Sequence, residues 1–443
     1  MKISKITYAV LSAVVLSTAI VSCNDDEKNV DNPHNPDEYV VENSSEISNA
    51  LIAKKSLSDY VSWPDNYFKF VDKVDKFSSK LATTIGCESD GNTAISPLSV
   101  FMALSMAAEG ANNDTRQEIL DALGLSYQEL TENIKYLVNS TNRLFGQDNR
   151  KNQIKCVNSL WLKDGYDVNK DGVNSLTHNF YSDVFKMDFS NSDINSLVTS
   201  YIKNETFGFL NPNLQISDDA IILLINVVYL REVWSQLGDL EFTSSTYNFL
   251  NYDKSKKKTK LLQGDYCAGR AIDKDKYKKF YTSSNSGLNL TFYVPKDGYS
   301  VDDVYTSDVL NDETRYLYSD QQNDYYTRCF FPEFKAEFDD DIIDILKKLG
   351  VEKLFNSDCD FSNLTNQSVY CKKVKHIAKL DVCRSGVEGA AVTEMEFPVG
   401  AAGPDEVERH DVYEDFIVDR NFVYVLSDSN GVPLFAGVVK KID

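Results

Sequence analysis

Residues 220–230 read Ala-Ile-Ile-Leu-Leu-Ile-Asn-Val-Val-Tyr-Leu, and Asn226 is the one strongly polar side chain in this run. The run is apolar at both even and odd positions, so both faces of a strand made from it would be apolar. A strand needs two apolar faces when other elements cover it on both sides. The stretch therefore predicts a central strand of a large sheet.

The segments around this strand predict a mixture of helices and strands. Residues 288–295 form a second apolar strand-like run, and residues 422–426 and 434–439 flank Asp428-Ser429-Asn430-Gly431, which is typical of a hairpin. Helical spacing of apolar residues predicts an amphipathic helix over about 67–84, a second helix capped by Ser96, and a third that begins near Asp114 and ends at Gly124. The chain is therefore predicted to be α+β in one compact unit.

The charge of the chain argues against nucleic acid as a partner. The formal net charge is −21 and the sequence pI is about 4.7, whereas binding to phosphates needs clustered Lys and Arg. One basic cluster exists, formed by Lys254, Lys256, Lys257, Lys258 and Lys260. It is predicted to be the solvated tip of a hairpin.

The N-terminus resembles an export signal. Lys2 and Lys5 precede an apolar stretch, residues 6–21, that is short for a membrane span but suits a signal-peptide core. The stretch closes on Ile20-Val21-Ser22-Cys23, which is similar to the site where bacterial lipoproteins are cleaved and acylated on the Cys. The alternative is cleavage of the Ala-x-Ala type, with Cys23 incidental.

These features predict three regions. Residues 1–22 are a signal peptide, residues 23–65 are an acidic flexible tether that starts at the lipidated Cys23, and residues 66–443 are the folded domain. Acidic residues directly after the Cys favour export to the surface, so we expect a cell-surface lipoprotein of the outer membrane.

Motifs for catalysis or metal binding are missing from the sequence. Seven Cys follow Cys23 at wide spacings with no CxxC or Cys/His cluster, so most are predicted to be buried free thiols. Only four His are present, and no Gly-x-Ser-x-Gly elbow, phosphate-binding loop or His-Glu-x-x-His motif occurs. We therefore expect no enzymatic activity, no cofactor and no metal.

From about residue 66 to its end, the chain resembles the serpin family in a series of motifs that occur in the right order. They are Ser96-Pro97-Leu98-Ser99 with Gly110 and Asp114-Thr115-Arg116, Asn226 with Tyr229 and Trp234, Phe331-Pro332-Glu333-Phe334, Leu346-Leu349-Gly350-Val351 with Phe355 and Asp360-Phe361-Ser362, Val374-Lys375-His376, and Leu434-Phe435-Ala436-Gly437. The resemblance implies the serpin fold, in which helices surround a large central mixed sheet with two further sheets and an exposed reactive-centre loop.

The resemblance also implies the function and several site residues. Ser96, Ser99, Asn226 and His376 would form a buried hydrogen-bond cluster where the central sheet must part, and Trp234 would lie in the upper part of that sheet. The protein would be a suicide-substrate inhibitor that traps serine proteases, and possible targets extend to cysteine proteases. We expect a monomer.

The loop itself has an alternating pattern over Gly386–Pro398. One face would carry Val387, Gly389, Ala391, Thr393, Met395 and Phe397, and the other Glu388, Ala390, Val392, Glu394 and Glu396. The resemblance leaves this segment exposed in the native state, whereas the pattern suits a strand with one buried face. We therefore expect the segment, led by the hinge Gly386, Val387, Glu388, Gly389, Ala390, Ala391, Val392 and Thr393, to enter the central sheet after cleavage.

Two positions near the hinge depart from the family pattern. Gly389 stands where inhibitory members usually have Ala, and Arg384-Ser385 replaces an acidic pair. Arg384 is expected to face Glu333 across neighbouring strands, as a charge-swapped version of an ion pair in the family.

The family's spacing from hinge to scissile bond points to Val399, Gly400, Ala401 and Ala402. These small side chains suit the shallow primary pocket of elastase-like or subtilisin-like proteases. Arg409 is the alternative, and it would direct the inhibitor to trypsin-like enzymes. The competing function is a non-inhibitory surface protein with a serpin fold that binds a ligand or a partner.

Overall fold

A computed structural model describes residues 9–18, 45–55, 61–86, 91–142, 153–189, 193–217, 219–234, 239–284, 287–312, 314–388 and 410–442. Within these ranges, no helix is both long enough and apolar enough to cross a membrane.

The helices of the described residues are α1 Ser45–Ala50, α2 Tyr67–Ile85, α3 Pro97–Gly110, α4 Asn113–Leu123, α5 Tyr127–Thr141, α6 Lys170–Asn179, α7 Ile194–Glu205, α8 Val301–Val304, α9 Ser307–Leu310 and α10 Ile343–Lys348. A 3-10 turn spans Lys353–Phe355. The predicted helices near 67–84, after Ser96 and before Gly124 are confirmed as α2, α3 and α4.

The strands are β1 Ala9–Thr18, β2 Leu51–Ala53, β3 Thr93–Ile95, β4 Gln153–Lys163, β5 Ser182–Met187, β6 Ala220–Val233, β7 Tyr247–Leu250, β8 Lys256–Thr259, β9 Leu262–Ala268, β10 Ile272–Asp273, β11 Tyr277–Ser283, β12 Asn289–Pro295, β13 Asn323–Phe331, β14 Phe334–Asp341, β15 Val369–Cys383, β16 Gly386–Glu388, β17 His410–Ile417, β18 Phe422–Ser427 and β19 Pro433–Val439.

The strands form one main sheet and smaller sheets around it. The main sheet has eight strands, in the order β14, β15, then β1 and β16 together in one position, β6, β4, β5 and β2. A six-stranded sheet has the order β10-β11-β12-β18-β19-β3, and a three-stranded sheet has the order β17-β13-β9. The predicted α+β fold with a large mixed sheet and further sheets is confirmed, and a two-stranded sheet of β7 and β8 adds to the two that were predicted.

The predicted central strand is β6, and it is covered on both faces. Leu224 packs in the large core that includes α2 and α3, and Leu223 packs in a second core beneath α7. Asn226, at the middle of this strand, is completely buried. The two apolar faces that the sequence shows therefore correspond to two separate cores.

A space one strand wide separates β15 from β6, and two segments from distant parts of the chain fill it. β1 runs parallel to both neighbours, from Ala9 opposite Val369 to Thr18 opposite Tyr229. β16 enters from the other end and runs antiparallel to both neighbours. We call this space the insertion slot.

The N-terminal part of the chain differs in two respects from the sequence-based division. Residues 9–18 of the predicted signal peptide form β1, because an apolar, β-branched run also suits a buried strand. Within the predicted flexible tether, residues 45–50 form α1 and residues 51–53 pair with β5 at the edge of the main sheet. The tether is therefore not uniform, and ordered structure begins before residue 66.

Smaller predictions also match the fold. The hairpin of residues 422–426 and 434–439 is β18–β19, and the basic cluster lies on the β7–β8 hairpin with Lys256, Lys257 and Lys258 exposed. The buried thiols of Cys156, Cys329, Cys359 and Cys371 and the half-buried thiol of Cys267 form no disulfide within the described chain.

Candidate functional site

A buried hydrogen-bond cluster links the two walls of the insertion slot. The hydroxyl of Ser99 donates to Asn226 Oδ1 at 2.6 Å, and Asn226 belongs to β6. The backbone N–H of Ser96 donates to His376 Nε2 at 3.2 Å, and His376 belongs to β15. All four side chains are completely buried, so the structure brings the four predicted residues together.

Helix α3 is the element that spans the slot. Its N-cap is Ser96, whose hydroxyl accepts from the backbone N–H of Ser99 at 3.3 Å, and Pro97 occupies the first turn, where its missing N–H costs nothing. The start of α3 therefore bonds to β15 through Ser96 and to β6 through Ser99. Any widening or narrowing of the slot must strain or exchange these bonds.

The network continues into β4 through two residues that the sequence analysis did not single out. Asn226 Nδ2 donates to Asn158 Oδ1 at 2.8 Å and lies 3.5 Å from the sulfur of Cys156. Asn158 in turn donates to the carbonyl of Phe180 at 2.7 Å. The available signal was the alternation along β4, because Cys156 and Leu160 on the same face as Asn158 are apolar and a buried asparagine among them needs partners.

The first hinge residues, Gly386–Glu388, already lie in the slot as β16. We call the end of the slot that they occupy its upper end. Gly386 lies opposite Cys383 of β15 and Val233 of β6, and Val387 is fully buried against the main core. A Cβ atom on Gly386 would lie 2.0 Å from the carbonyl oxygen of Glu232, so only glycine fits here. The inward direction of Val387 agrees with the alternation that the sequence predicts.

Trp234 and Arg384 lie next to this end of the slot. The indole N–H of Trp234 donates to the carbonyl of Cys383 at 2.6 Å. Arg384 does lie beside Glu333, but the bond between them comes from its backbone N–H, at 2.8 Å to Glu333 Oε1. The guanidinium pairs with Asp239 instead, with Nε 3.3 Å from Oδ2. The expected charge-swapped pair is therefore a contact through the backbone.

Asp381 is a buried carboxylate on the slot wall. It is 2% exposed, lies opposite Glu388 in the register of β15 and β16, and pairs with Lys335 at 2.7 Å. The pKa of Asp381 is raised to about 6, chiefly by burial and to a smaller extent by Glu333, against the lowering effects of Lys335 and Lys379.

The remaining predicted site residues lie outside the described residues. These are Gly389, Ala390, Ala391, Val392 and Thr393 of the hinge, the window Val399, Gly400, Ala401 and Ala402 with the alternative Arg409, and Cys23.

Comparisons with known proteins agree with this architecture. The profile of the family described as Serpin (serine protease inhibitor) matches residues 72–442. Mouse neuroserpin is 25% identical over 413 residues, which cover 88% of this chain and 94% of neuroserpin. An uncharacterized serpin-like protein of Methanosarcina acetivorans is 24% identical over 98% of both chains.

Two solved structures show the same fold. The thermophilic serpin tengpin in its native state has a TM-score of 0.68 at 22% identity, over 88% of this chain and 97% of tengpin. Thyroxine-binding globulin in complex with thyroxine has a TM-score of 0.66 at 21% identity, over 84% of this chain and 99% of that chain.

We predict that Ser99→Ala destabilises the protein by about 1–3 kcal/mol, because it removes the hydroxyl that donates to the buried Asn226 Oδ1 at 2.6 Å. Ser105 offers a matched control on α3. It is equally buried, and its hydroxyl has no hydrogen-bond partner within the described chain. Ser105→Ala should therefore change the free energy of unfolding little. Urea unfolding of both variants measures the difference, and equal losses would contradict the role of the cluster.

A second prediction concerns pH. A carboxyl group whose pKa is raised on folding binds its proton more tightly in the native state, so its contribution to stability falls as pH rises towards that pKa. For Asp381 this makes the wild type about 1 kcal/mol more stable at pH 5 than at pH 7, relative to Asp381→Asn. Melting curves of both proteins at the two pH values test this, and parallel pH dependences would refute it.

Proposed function

The chain belongs to the serpin family, and we propose that it is a suicide-substrate inhibitor of serine proteases that inserts its reactive loop into the slot between β15 and β6. Serpins in general inhibit proteases and are not themselves enzymes, although thyroxine-binding globulin has the same fold and binds thyroxine. The inhibitory mechanism and the target class are therefore the proposal.

The reaction begins as ordinary proteolysis. The protease's serine hydroxyl attacks the carbonyl carbon of the scissile residue, the peptide C–N bond breaks, and the new amino terminus leaves with the proton that the serine gave up. The loop then remains joined to the serine as an ester. If the loop inserts before water hydrolyses this ester, the protease is carried along the main sheet and held there.

The register of β16 is the observation that carries this proposal. β16 pairs Gly386 with Val233 of β6 and with Cys383 of β15. A strand that continued in this register would bring Val399 opposite Ala220, where β6 begins, and Gly400 opposite Val369, where β15 begins. A strand cleaved there would fill the slot from end to end.

The same register supports the window Val399–Ala402 over Arg409. At about 3.3 Å per residue, cleavage at Arg409 would leave roughly 30 Å of chain that the slot cannot hold. A protease attached through this extra segment would be held less tightly against the sheet and could hydrolyse the ester. The small side chains from Val399 to Ala402 suit an elastase-like or subtilisin-like primary pocket.

The middle of the inserted strand would also meet the buried cluster. In this register Thr393 would lie between Asn226 of β6 and His376 of β15. Its hydroxyl is both a donor and an acceptor, so a buried polar site would receive a small polar side chain. The apolar positions before and after Thr393 on the same face would meet the main core.

Processing at the N-terminus would be required first. β1 uses the edges of β15 and β6 from Val369 to Ile377 and from Ala220 to Tyr229, which are the edges that the loop needs. We propose that residues 1–22 are a signal peptide whose removal vacates the slot. Acylation of Cys23 would then anchor the mature inhibitor to the outer membrane, with the domain exposed at the cell surface.

A cavity supports a second candidate function, the binding of a small molecule without inhibition. It has a volume of about 240 Å³ and lies between α2 and the six-stranded sheet, with Asp75, Lys279, Tyr293 and Asp312 in its lining. Burial raises the pKa of Asp75 to about 6. A carboxyl and an amine in a half-open cleft are suited to orienting a polar ligand.

We predict that the chain without residues 1–22 forms a complex with pancreatic elastase or subtilisin that survives SDS. The peptide released from the complex should begin after one of residues 399–402, and cleaved protein should melt at a higher temperature than intact protein because the slot gains a full strand. The full-length chain should be cleaved without forming the complex.

Other results would identify the competing functions. A released peptide that begins at His410 would move the scissile bond to Arg409. Complete cleavage without a complex, together with equal melting temperatures of intact and cleaved protein, would favour the non-inhibitory function.

The hinge provides a sharper test. Gly386→Ala forces a methyl group against the Glu232 carbonyl, so β16 must move away from β6 and insertion must start later. The variant should therefore be cleaved as a substrate more often, with a higher number of inhibitor molecules consumed per trapped protease. Gly91→Ala is the control, because nothing lies within 4 Å of its added Cβ. Equal stoichiometry in both variants would contradict the role of β16.

A further inference from the structure

The outer face of the three-stranded sheet β17-β13-β9 carries a group of exposed aromatic side chains. Phe416 and Cys329 point from these strands into the core, so the residues next to them point outward. On the outer face, Tyr413 is 56% exposed and Tyr266 is 43% exposed. Tyr326 lies opposite Tyr413 in the register of β13 and β17.

The rings form one continuous surface. The ring centroids of Tyr266 and Tyr413 are 5.0 Å apart in an edge-to-face arrangement, and those of Tyr326 and Tyr413 are 5.4 Å apart and stacked. We call Tyr266, Tyr326, Tyr413 and the adjacent Arg328 the tyrosine face. Single exposed aromatic side chains are ordinary, whereas a contiguous group is typical of an interaction surface.

Arg328 is held flat within this face. Its guanidinium carbon lies 4.8 Å from the ring centre of Tyr266 and 4.6 Å from that of Phe330. Its Nη2 also lies 3.5 Å from Asp415 Oδ1 on β17. These contacts already restrict the side chains of this face, so less of their conformational entropy would be lost on binding a partner than on a surface of free side chains.

The composition of the tyrosine face is that of a protein contact site. Tyrosine and arginine are enriched among the residues that dominate binding energy at protein interfaces, particularly where they are clustered. Carboxylates lie at its edge, since Asp411 accepts from the hydroxyl of Tyr413 at 3.2 Å and Asp415 pairs with Arg328. A partner with an apolar centre and a basic rim would complement this arrangement.

The position of the face identifies the partner. β17 begins at His410, directly after the segment that carries the proposed scissile window. Tyr413 is the fourth residue of this strand. A protease domain of common size is roughly 40 Å across. A protease bound to the loop would therefore extend over β17, the strand that follows the loop, and over its neighbours in the three-stranded sheet.

We propose that the tyrosine face is a second contact surface for the protease that the reactive loop engages. This inference rests on the proposed inhibitory function. The loop would set which bond is cleaved, whereas the tyrosine face would set how fast a given protease is captured, and it would favour proteases with basic side chains beside their active-site cleft.

The test measures association rates of the chain without residues 1–22 with whichever of pancreatic elastase and subtilisin it traps faster. Tyr266→Ala/Tyr413→Ala should lower the association rate constant at least tenfold, while the stoichiometry of trapping stays unchanged because the hinge and slot are intact. Tyr266→Phe/Tyr413→Phe keeps the rings and should retain the rate within about twofold. Tyr299→Ala, an exposed tyrosine in the loop before α8, is the control and should have no effect.

Two results would overturn the proposal, and they differ. If the double Ala variant folds and captures the protease as fast as the unaltered protein, the tyrosine face is not a protease contact. If the double Phe variant loses as much rate as the double Ala variant, the rings are not the contacting groups. A failure of the unaltered protein to trap any protease would instead overturn the inhibitory function itself.

Discussion

The structure depends on one constraint: β6 and β15 are separated by the width of one strand, and the backbone groups along both facing edges need hydrogen-bond partners. A buried N–H or C=O without a partner costs free energy comparable to a lost hydrogen bond, so the slot has to be filled or closed. In the structure β1 fills most of its length and β16 fills its upper end. Two segments from distant parts of the chain therefore share these edges, each over its own part of the slot.

The position of α3 follows from this constraint. A helix that was bonded to only one of the two strands would move with that strand. Helix α3 is bonded to both, to β15 through Ser96 and to β6 through Ser99. With a strand in the slot, these bonds are formed at full strand separation. Because the network extends through Asn226 to Asn158 on β4, movement of β6 is also coupled to its other neighbour. Two serines at the start of α3 thus connect β15, β6 and, through Asn226, β4.

Much of this arrangement could be predicted where the sequence pattern was local. The run at 220–230 identified the central strand, and the alternation after Gly386 gave the inward direction of Val387 correctly. Asn158 was missed because its partners are distant in sequence and its strand has mixed polarity. The tyrosine face escaped the sequence analysis for a similar reason, since its rings come from three separate strands and have no common period. The apolar run at 9–18 fits both a targeting signal and a strand, because apolar composition does not distinguish the two.

The charges along the slot explain how insertion could be delayed and then driven. β16 ends at Glu388, and the position opposite it on β15 is the buried Asp381, so the proposed insertion would start beside a carboxylate. In the same register Glu394 would lie opposite Lys375 and Glu396 opposite Lys373, where cross-strand attraction replaces repulsion. Along β15, the proposed insertion would therefore proceed from a position opposite a carboxylate to positions opposite lysines. Such a profile suits a loop that must stay out of the sheet until cleavage releases it and must then enter faster than the ester is hydrolysed.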